Sequence, residues 1–143
     1  MALRIPMKAV TKTFSTVMED GELEVVIRQA RVGDNLRRGE YFAEVTQIYD
    51  DAFMGPMQVK QSRNAHEIRR FEVFATLVGC NLQDEDGEDL FRFGNNDQGA
   101  FLDMTEPAFN NVWDLLPMNV AELVHDRVLE VNVLWDPTSG DED

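Results

Sequence analysis

Cysteine, histidine and long apolar runs are scarce in this chain of 143 residues. The single cysteine, Cys80, cannot form a disulfide within the chain, and its apolar surroundings are typical of a buried thiol in a reducing compartment. No run approaches the roughly 20 consecutive apolar residues that a helix needs to cross a bilayer. Residues 1–8 contain no continuous apolar core and no small-residue cleavage site, so no secretory signal is expected. The sequence therefore predicts a cytoplasmic protein.

Signatures of catalysis and of metal binding are also lacking. The two histidines, His66 and His125, fall on separate predicted helices without a second ligand at zinc spacing, and we interpret both as surface or boundary residues. There is no glycine-rich phosphate loop and no nucleophile elbow. The sequence nominates no catalytic residue, cofactor or metal ligand. A carboxylate pair assembled in space for acid–base catalysis stays open.

Basic residues are few in the second half of the chain. Residues 73–143 contain two basic side chains against sixteen acidic ones and so carry the whole net charge of −14, whereas residues 1–72 balance eleven against eleven. Such an acidic surface repels nucleic-acid phosphates and anionic lipid headgroups, so direct binding of nucleic acid or of a membrane is not expected. The charge serves either solubility alone or steering toward a basic partner.

The densest acidic run, residues 84–89, raises the question of a calcium site. An EF-hand loop needs acidic residues at its first and twelfth positions and glycine at the sixth. With Gly87 at the sixth position, the two ends fall on Leu82 and Phe93, which cannot ligate calcium. We interpret the run as a solvated hairpin turn, while weak binding of Mg²⁺ or Ca²⁺ by the clustered carboxylates stays open.

What the chain does contain is a hydrophobic fraction of 43% with nine phenylalanines, which is typical of a folded globule. An Asp20-Gly21 turn between two strand-like runs predicts an N-terminal β-hairpin over residues 8–29. Apolar periodicity and capping residues predict helices over 34–49 (with Asp34 as N-cap), 65–78, 105–116 and 117–131.

Residues 50–64, which have no sustained period, are predicted as a loop or a helix–helix connection, and residues 94–99 as a loop. A strand within 71–82 stays open as an alternative to helix. The predicted fold class is α+β: a helix-rich single domain of about four helices with an N-terminal β-hairpin. It spans residues 1–135, and residues 136–143 form an acidic disordered tail.

Four apolar residues near the end of the chain are candidates for binding a partner. Tryptophan is enriched at interface hot spots, which favours Trp113, before Pro117, and Trp135, at the start of the tail. Leu116 and Leu123 belong to the apolar stripes of the last two predicted helices. A position in the core is the alternative for each of them.

Several short segments, taken in order along the chain, form a pattern found in a known family. They are Val26-Ile27-Arg28-Gln29, Val32-Gly33-Asp34-Asn35, Glu85-Asp86-Gly87-Glu88-Asp89-Leu90-Phe91, Trp113-Asp114-Leu115-Leu116-Pro117 and Val128-Leu129-Glu130-Val131-Asn132, closing at Trp135. Together they resemble the tail assembly chaperones of long-tailed bacteriophages and prophages. The resemblance covers most of the chain, and the acidic turn followed by Leu-Phe is its most suggestive part.

The resemblance implies a small, helix-rich protein without catalytic residues or cofactors, working in the cytoplasm of a bacterial host. Members of this family bind the long tape measure protein, recruit tail tube subunits and leave before the tail is complete; many are also made in a longer, frameshifted form. Two other functions stay open from the residues themselves. They are an acidic decoy that imitates DNA to inhibit a nucleic-acid-binding protein, and a small metal-binding module around residues 84–89.

Overall fold

The predicted hairpin opens the fold. In the computed structural model, which describes residues 1–51 and 56–137 and only the backbone of 43–51 and 56–64, strand β1 (Thr11–Met18) pairs antiparallel with β2 (Gly21–Arg28). A third strand, β3 (Leu77–Cys80), joins the other edge of β2. Gly79 of β3 lies so close to β2 that a Cβ there would stand 2.9 Å from the Cγ2 atom of Val26. This close approach explains a glycine inside a strand.

Four α-helices lie in the described part of the chain, as predicted. They are α1 (Val32–Asp51), α2 (Pro56–Thr76), α3 (Glu106–Trp113) and α4 (Met118–Val131), and a short 3₁₀ turn (Val133–Trp135) follows α4. The start of α3 is the predicted one: the hydroxyl of Thr105 accepts the backbone N–H of Ala108 at 3.3 Å, and Pro107 lies in the first turn. The α+β class with its hairpin is confirmed.

Helix α1 begins two residues earlier than predicted. Asp34 is therefore not the N-cap but a residue of the first turn, where its carboxylate reaches back to accept the backbone N–H of Arg31 at 2.8 Å. This is the return half of a capping box, which satisfies the backbone N–H of the residue that precedes the helix. The same carboxylate pairs with Arg28 at the end of β2 and so fixes the strand to the helix.

Residues 50–64 do contain the junction of two helices, α1 and α2, but a loop over the whole segment is wrong for the part that the structure describes. Residue 51 still belongs to α1 and residues 56–64 to α2, while residues 52–55 lie outside the described residues. Pro56 suits a first helical position, and the residues after it have good helix propensity without an apolar period. At its other end α2 stops at Thr76. The alternative of a strand within 71–82 is correct for residues 77–80, which form β3.

The loop predicted over residues 94–99 is also wrong. These residues belong to a second antiparallel hairpin, in which β4 (Phe93–Asn96) pairs with β5 (Gly99–Leu102). The ring of Phe101 covers Gly94 across the pair, so that a Cβ on Gly94 would stand 2.7 Å from the phenylalanine Cζ. Glycine and asparagine have low strand propensity, and here the packing of the aromatic ring compensates for that low propensity.

The acidic run forms an exposed turn that Asp84 organises. Its Oδ1 atom accepts the backbone N–H groups of Asp86 and Glu88 at 2.8 and 3.0 Å, and Gly87 takes the positive φ of +80° that the turn requires. The side chains of the run are exposed to solvent, as interpreted from the sequence.

One hydrophobic cluster joins the three-stranded sheet to α2, α3 and α4. Its buried members are Leu23, Val25, Ile27, Val73, Leu77, Phe91, Phe109, Val124, Val128 and Trp135. The alternation of β2 places three of its four apolar residues, Leu23, Val25 and Ile27, on the face toward the helices. Among the described residues, no helix has the length and apolar character that crossing a membrane demands. Residues 138–143, most of the predicted tail, lie outside the described residues.

Candidate functional site

A groove of about 1230 Å³ lies among the described residues, bounded by α1, α2, the end of α3, α4 and the 3₁₀ turn. This volume exceeds the range of about 300–1,000 Å³ that is typical of small-molecule pockets, so the groove suits a segment of polypeptide better than a metabolite. Its described lining residues are Arg38, Phe42, 65–70, Glu72, Trp113, Asp114, Leu116, Met118, Ala121, Glu122, His125, Asp126, Leu129 and 134–137.

Helix α4 divides its residues between the core and the groove. Val124 and Val128 are buried in the core cluster. The groove side carries residues spaced by three and four positions, as one face of a helix requires: Met118, Ala121, Glu122, His125, Asp126 and Leu129. The second face is therefore amphipathic, with apolar side chains beside exposed carboxylates.

Three of the four candidate partner-binding residues line this groove. Trp113 and Leu116 are half-buried at its α3 end, where the indole of Trp113 stacks on Phe109 with ring centroids 5.8 Å apart. Trp135 closes the opposite end. Leu123 is not among the lining residues; it is half-buried and packs against the core cluster.

Trp135 is held in place by polar contacts as well as by burial. Its indole N–H donates to the Oδ1 atom of Asn35 at 3.1 Å, and the Arg38 guanidinium lies over its ring at 5.3 Å from the centroid. The side chain is buried in the core, so it presents only an edge to the groove. Its effect on a bound partner is through the shape of the groove wall more than through an exposed surface.

The floor of the groove contains a buried carboxylate with two cationic or potentially cationic partners. Glu72 on α2 is only 2% exposed. Its Oε2 atom accepts the Nε–H of Arg38 at 2.7 Å, and its Oε1 atom lies 2.7 Å from Nε2 of His125. Three helices are thus joined through one side chain. Both carboxylate oxygens are occupied, so Glu72 is not an open ligand.

The prediction that both histidines are surface or boundary residues is wrong for His125. His66 is exposed, but His125 is buried against Glu72. The reason is non-local: α2 supplies the carboxylate 53 positions away in sequence, and a buried charge must be paired. A signal for this pairing exists in the sequence, because Glu72 interrupts the apolar run from Phe71 to Phe74 on a helix.

The α4 side of the groove rim is apolar and acidic, whereas Arg69 and Arg70 line its α2 side. Met118 and Leu134 are exposed to 68% and 97%, which is high for large apolar side chains. Glu122 and Asp126 are exposed one turn apart on α4. Such a rim favours a ligand that combines apolar and basic groups. Across the described residues, no group of three or more His, Cys, Asp or Glu side chains is arranged to hold a metal ion.

A smaller polar cavity of about 200 Å³ lies between α1 and α3, lined by Arg37, Glu40, Tyr41, Phe71 and Glu106. Glu106 accepts from the Tyr41 hydroxyl at 2.8 Å and from Arg37 at 2.9 Å. Burial, followed by the hydrogen bond to Glu106 and its charge, raises the pKa of Tyr41 to about 12. Because the carboxylate oxygens of Glu106 each have a partner, we interpret the cavity as a structural link between the helices.

Cys80 lies outside both cavities, on β3, and burial raises the pKa of its thiol to about 11. At pH 8 only about one thiol in a thousand would be ionised, against about a quarter for an ordinary cysteine. We expect a thiol reagent to label native Cys80 about 100-fold more slowly than the urea-unfolded chain. Absorbance of the released chromophore measures both rates, and equal rates would contradict a buried, neutral thiol.

Comparisons of the chain with protein-family models, with curated proteins and with solved structures find no match.

Proposed function

We propose that this protein is a non-catalytic tail assembly chaperone of a long-tailed bacteriophage or prophage. In this role it binds the tape measure protein and recruits tail tube subunits in the cytoplasm of the bacterial host. The family resemblance of the sequence motivates the proposal. The structural observation that supports it is the groove, which has the size and lining for a segment of a helical partner.

A helix with its side chains is about 10–12 Å across, and amphipathic helices bind in apolar grooves through residues spaced by three and four positions. The groove offers Trp113, Leu116 and Leu129 as half-buried apolar contacts, with Met118 and Leu134 exposed above them. A tape measure protein is long and helical, so its apolar stripe would pack on these side chains. Basic residues beside that stripe would meet the carboxylates of α4.

The test is co-expression with the tape measure protein encoded nearby, followed by pull-down at low salt. Replacing Met118 and Leu134 together by glutamate is expected to weaken capture at least tenfold, because two buried carboxylates would face an apolar partner. Both side chains are exposed in this structure, so the variant should fold. Circular dichroism checks that it does.

Leu115→Glu is the matched control. Leu115 is 86% exposed beside the groove but is not among its lining residues. Its substitution should leave capture unchanged. Absence of any co-purification by the unmodified protein at low salt would argue against the chaperone function, and an equal loss from the Leu115 variant would argue against the groove as its site.

A further inference from the structure

The segment before β1 is exposed and rich in apolar side chains. Leu3, Ile5 and Met7 are 86%, 67% and 74% exposed. They alternate with Arg4, Pro6 and Lys8, so an extended backbone places the three apolar side chains on one side. A contiguous exposed apolar strip of this kind marks an interaction site in a soluble protein.

The charge of this segment is opposite to that of the rest of the chain. The first acidic residue of the sequence is Glu19, whereas Arg4 and Lys8 already lie between the apolar positions of the segment. Both basic side chains are exposed. A short segment that is apolar and purely basic is therefore attached to a protein with a net charge of −14.

The α4 side of the groove has the complementary character, while Arg69 and Arg70 line its α2 side. Glu122 and Asp126 lie exposed on the same face of α4 as Met118 and Leu129. An extended segment with alternating apolar and basic side chains can place its apolar side chains on the groove wall and its basic side chains against these carboxylates. These opposite charges attract at contact, where they act against the repulsion between two copies of net charge −14.

The base of the segment is held away from the groove of its own chain. The carbonyl of Met7 accepts from Nη2 of Arg31 at 3.4 Å, and the backbone N–H of Ala9 donates to the carbonyl of Gln98 at 2.9 Å. None of residues 1–10 is among the described residues that line the groove. The six residues before Met7 span at most about 20 Å when extended.

We propose that residues 3–8 of one copy of this chain bind in the groove of a second copy. Leu3, Ile5 and Met7 would pack on the apolar wall, and Arg4 and Lys8 would pair with Glu122 and Asp126. The exchange is reciprocal in a two-fold dimer, since each copy has one segment and one groove. The inference concerns self-association and does not depend on the identity of any phage partner.

Light scattering across a range of protein concentrations tests the charge complementarity. We expect the mass to double at about 0.15 M salt, where screening weakens the repulsion between two copies of net charge −14, and to return toward that of a monomer at about 1 M salt, where the Debye length falls to about 3 Å. Arg4→Glu with Lys8→Glu should abolish the doubling, and so should Glu122→Lys with Asp126→Lys. Mixing the two doubly substituted proteins should restore it, because the charges are then opposite again in both segment–groove contacts. A monomeric mass under all conditions would overturn the proposal.

Cross-linking locates the contact. Copies with Ile5→Cys and copies with Met118→Cys, each with its own tag, are mixed and treated with a short bis-maleimide. The expected product contains both tags. Val17→Cys in place of Ile5→Cys is the matched control, since Val17 is 85% exposed against 67% for Ile5 but lies on β1, and it should give little product.

A single chain carrying both Ile5→Cys and Met118→Cys distinguishes the copies. If that chain links to itself at a dilution where mixed copies give no doubly tagged product, the segment covers its own groove and the proposal is wrong. A doubly tagged product from the Val17 control at the same yield would also overturn it.

Discussion

Replacing Glu72 by glutamine is expected to lower the free energy of unfolding by about 3–5 kcal/mol, which is the usual cost of removing one partner from a buried ion pair. The carboxylate accepts from Arg38 and contacts His125, each at 2.7 Å. An amide has nearly the same shape but only one accepting oxygen, so one of these contacts is lost. The guanidinium of Arg38 then remains largely buried without its counter-charge. Urea denaturation should show the midpoint lowered by about 2 M.

Asp114→Asn provides the comparison. Asp114 pairs with Arg70 through both carboxylate oxygens, at 2.7 and 2.9 Å, but its side chain is 56% exposed. Water screens such a pair, and its loss should cost less than about 1 kcal/mol. If both variants unfold at the same urea concentration, the contacts of Glu72 contribute no more than a surface ion pair does.

The network around Glu72 also links stability to the groove. Arg38 belongs to α1, Glu72 to α2 and His125 to α4, so one carboxylate fixes the spacing of three helices. Arg38 in turn covers the ring of Trp135. These residues all line the groove, so the network fixes the positions of the side chains at its floor. A variant that weakens the network should therefore also weaken the binding of a partner in the groove.

Local signals in the sequence predicted the elements that depend on them. The Asp20-Gly21 pair gave the correct first hairpin, and Thr105 with Pro107 gave the correct start of α3. Pro117 correctly separated α3 from α4. In each case the residues that decide the structure lie within four positions of one another, so no tertiary contact has to be known in advance.

Elements that depend on distant packing were missed. The β4–β5 hairpin has glycine and asparagine in its strands and is supported by the ring of Phe101 over Gly94. The first turns of α2 have helix propensity but no apolar period to reveal it. The pairing of Glu72 with His125 joins residues 53 positions apart. Tertiary context decides all three, and local patterns carry little information about it.

The candidate site was predicted in part for a similar reason. Apolar periodicity identified the stripe of α4 that includes Leu123, but a stripe does not say whether the core or a partner will cover it. The structure assigns that stripe to the core and leaves the neighbouring face, with Met118 and Leu129, to the groove. Trp113 and Leu116 reach the groove because α3 ends at its edge.

Phe109→Ala is the second substitution with a large expected effect. Phe109 is fully buried, and its ring lies 5.4 Å from Phe74, 5.5 Å from Phe91 and 5.8 Å from Trp113 between centroids. Truncation removes these contacts and leaves a cavity that rigid neighbours fill only in part. Such changes cost about 3–5 kcal/mol. Thermal unfolding followed by circular dichroism should show the midpoint lowered by about 10 °C.

Phe101→Ala deletes the same atoms from a ring that is partly exposed over Gly94, and we expect it to cost about 1 kcal/mol. The two variants also differ in what they do to the groove. The indole of Trp113 rests on Phe109, so Phe109→Ala should shift tryptophan fluorescence of the folded protein toward longer wavelength, and Phe101→Ala should not. Equal destabilisation by the two variants, with no shift from either, would mean that Phe109 is not the centre of this core and does not hold Trp113 at the groove.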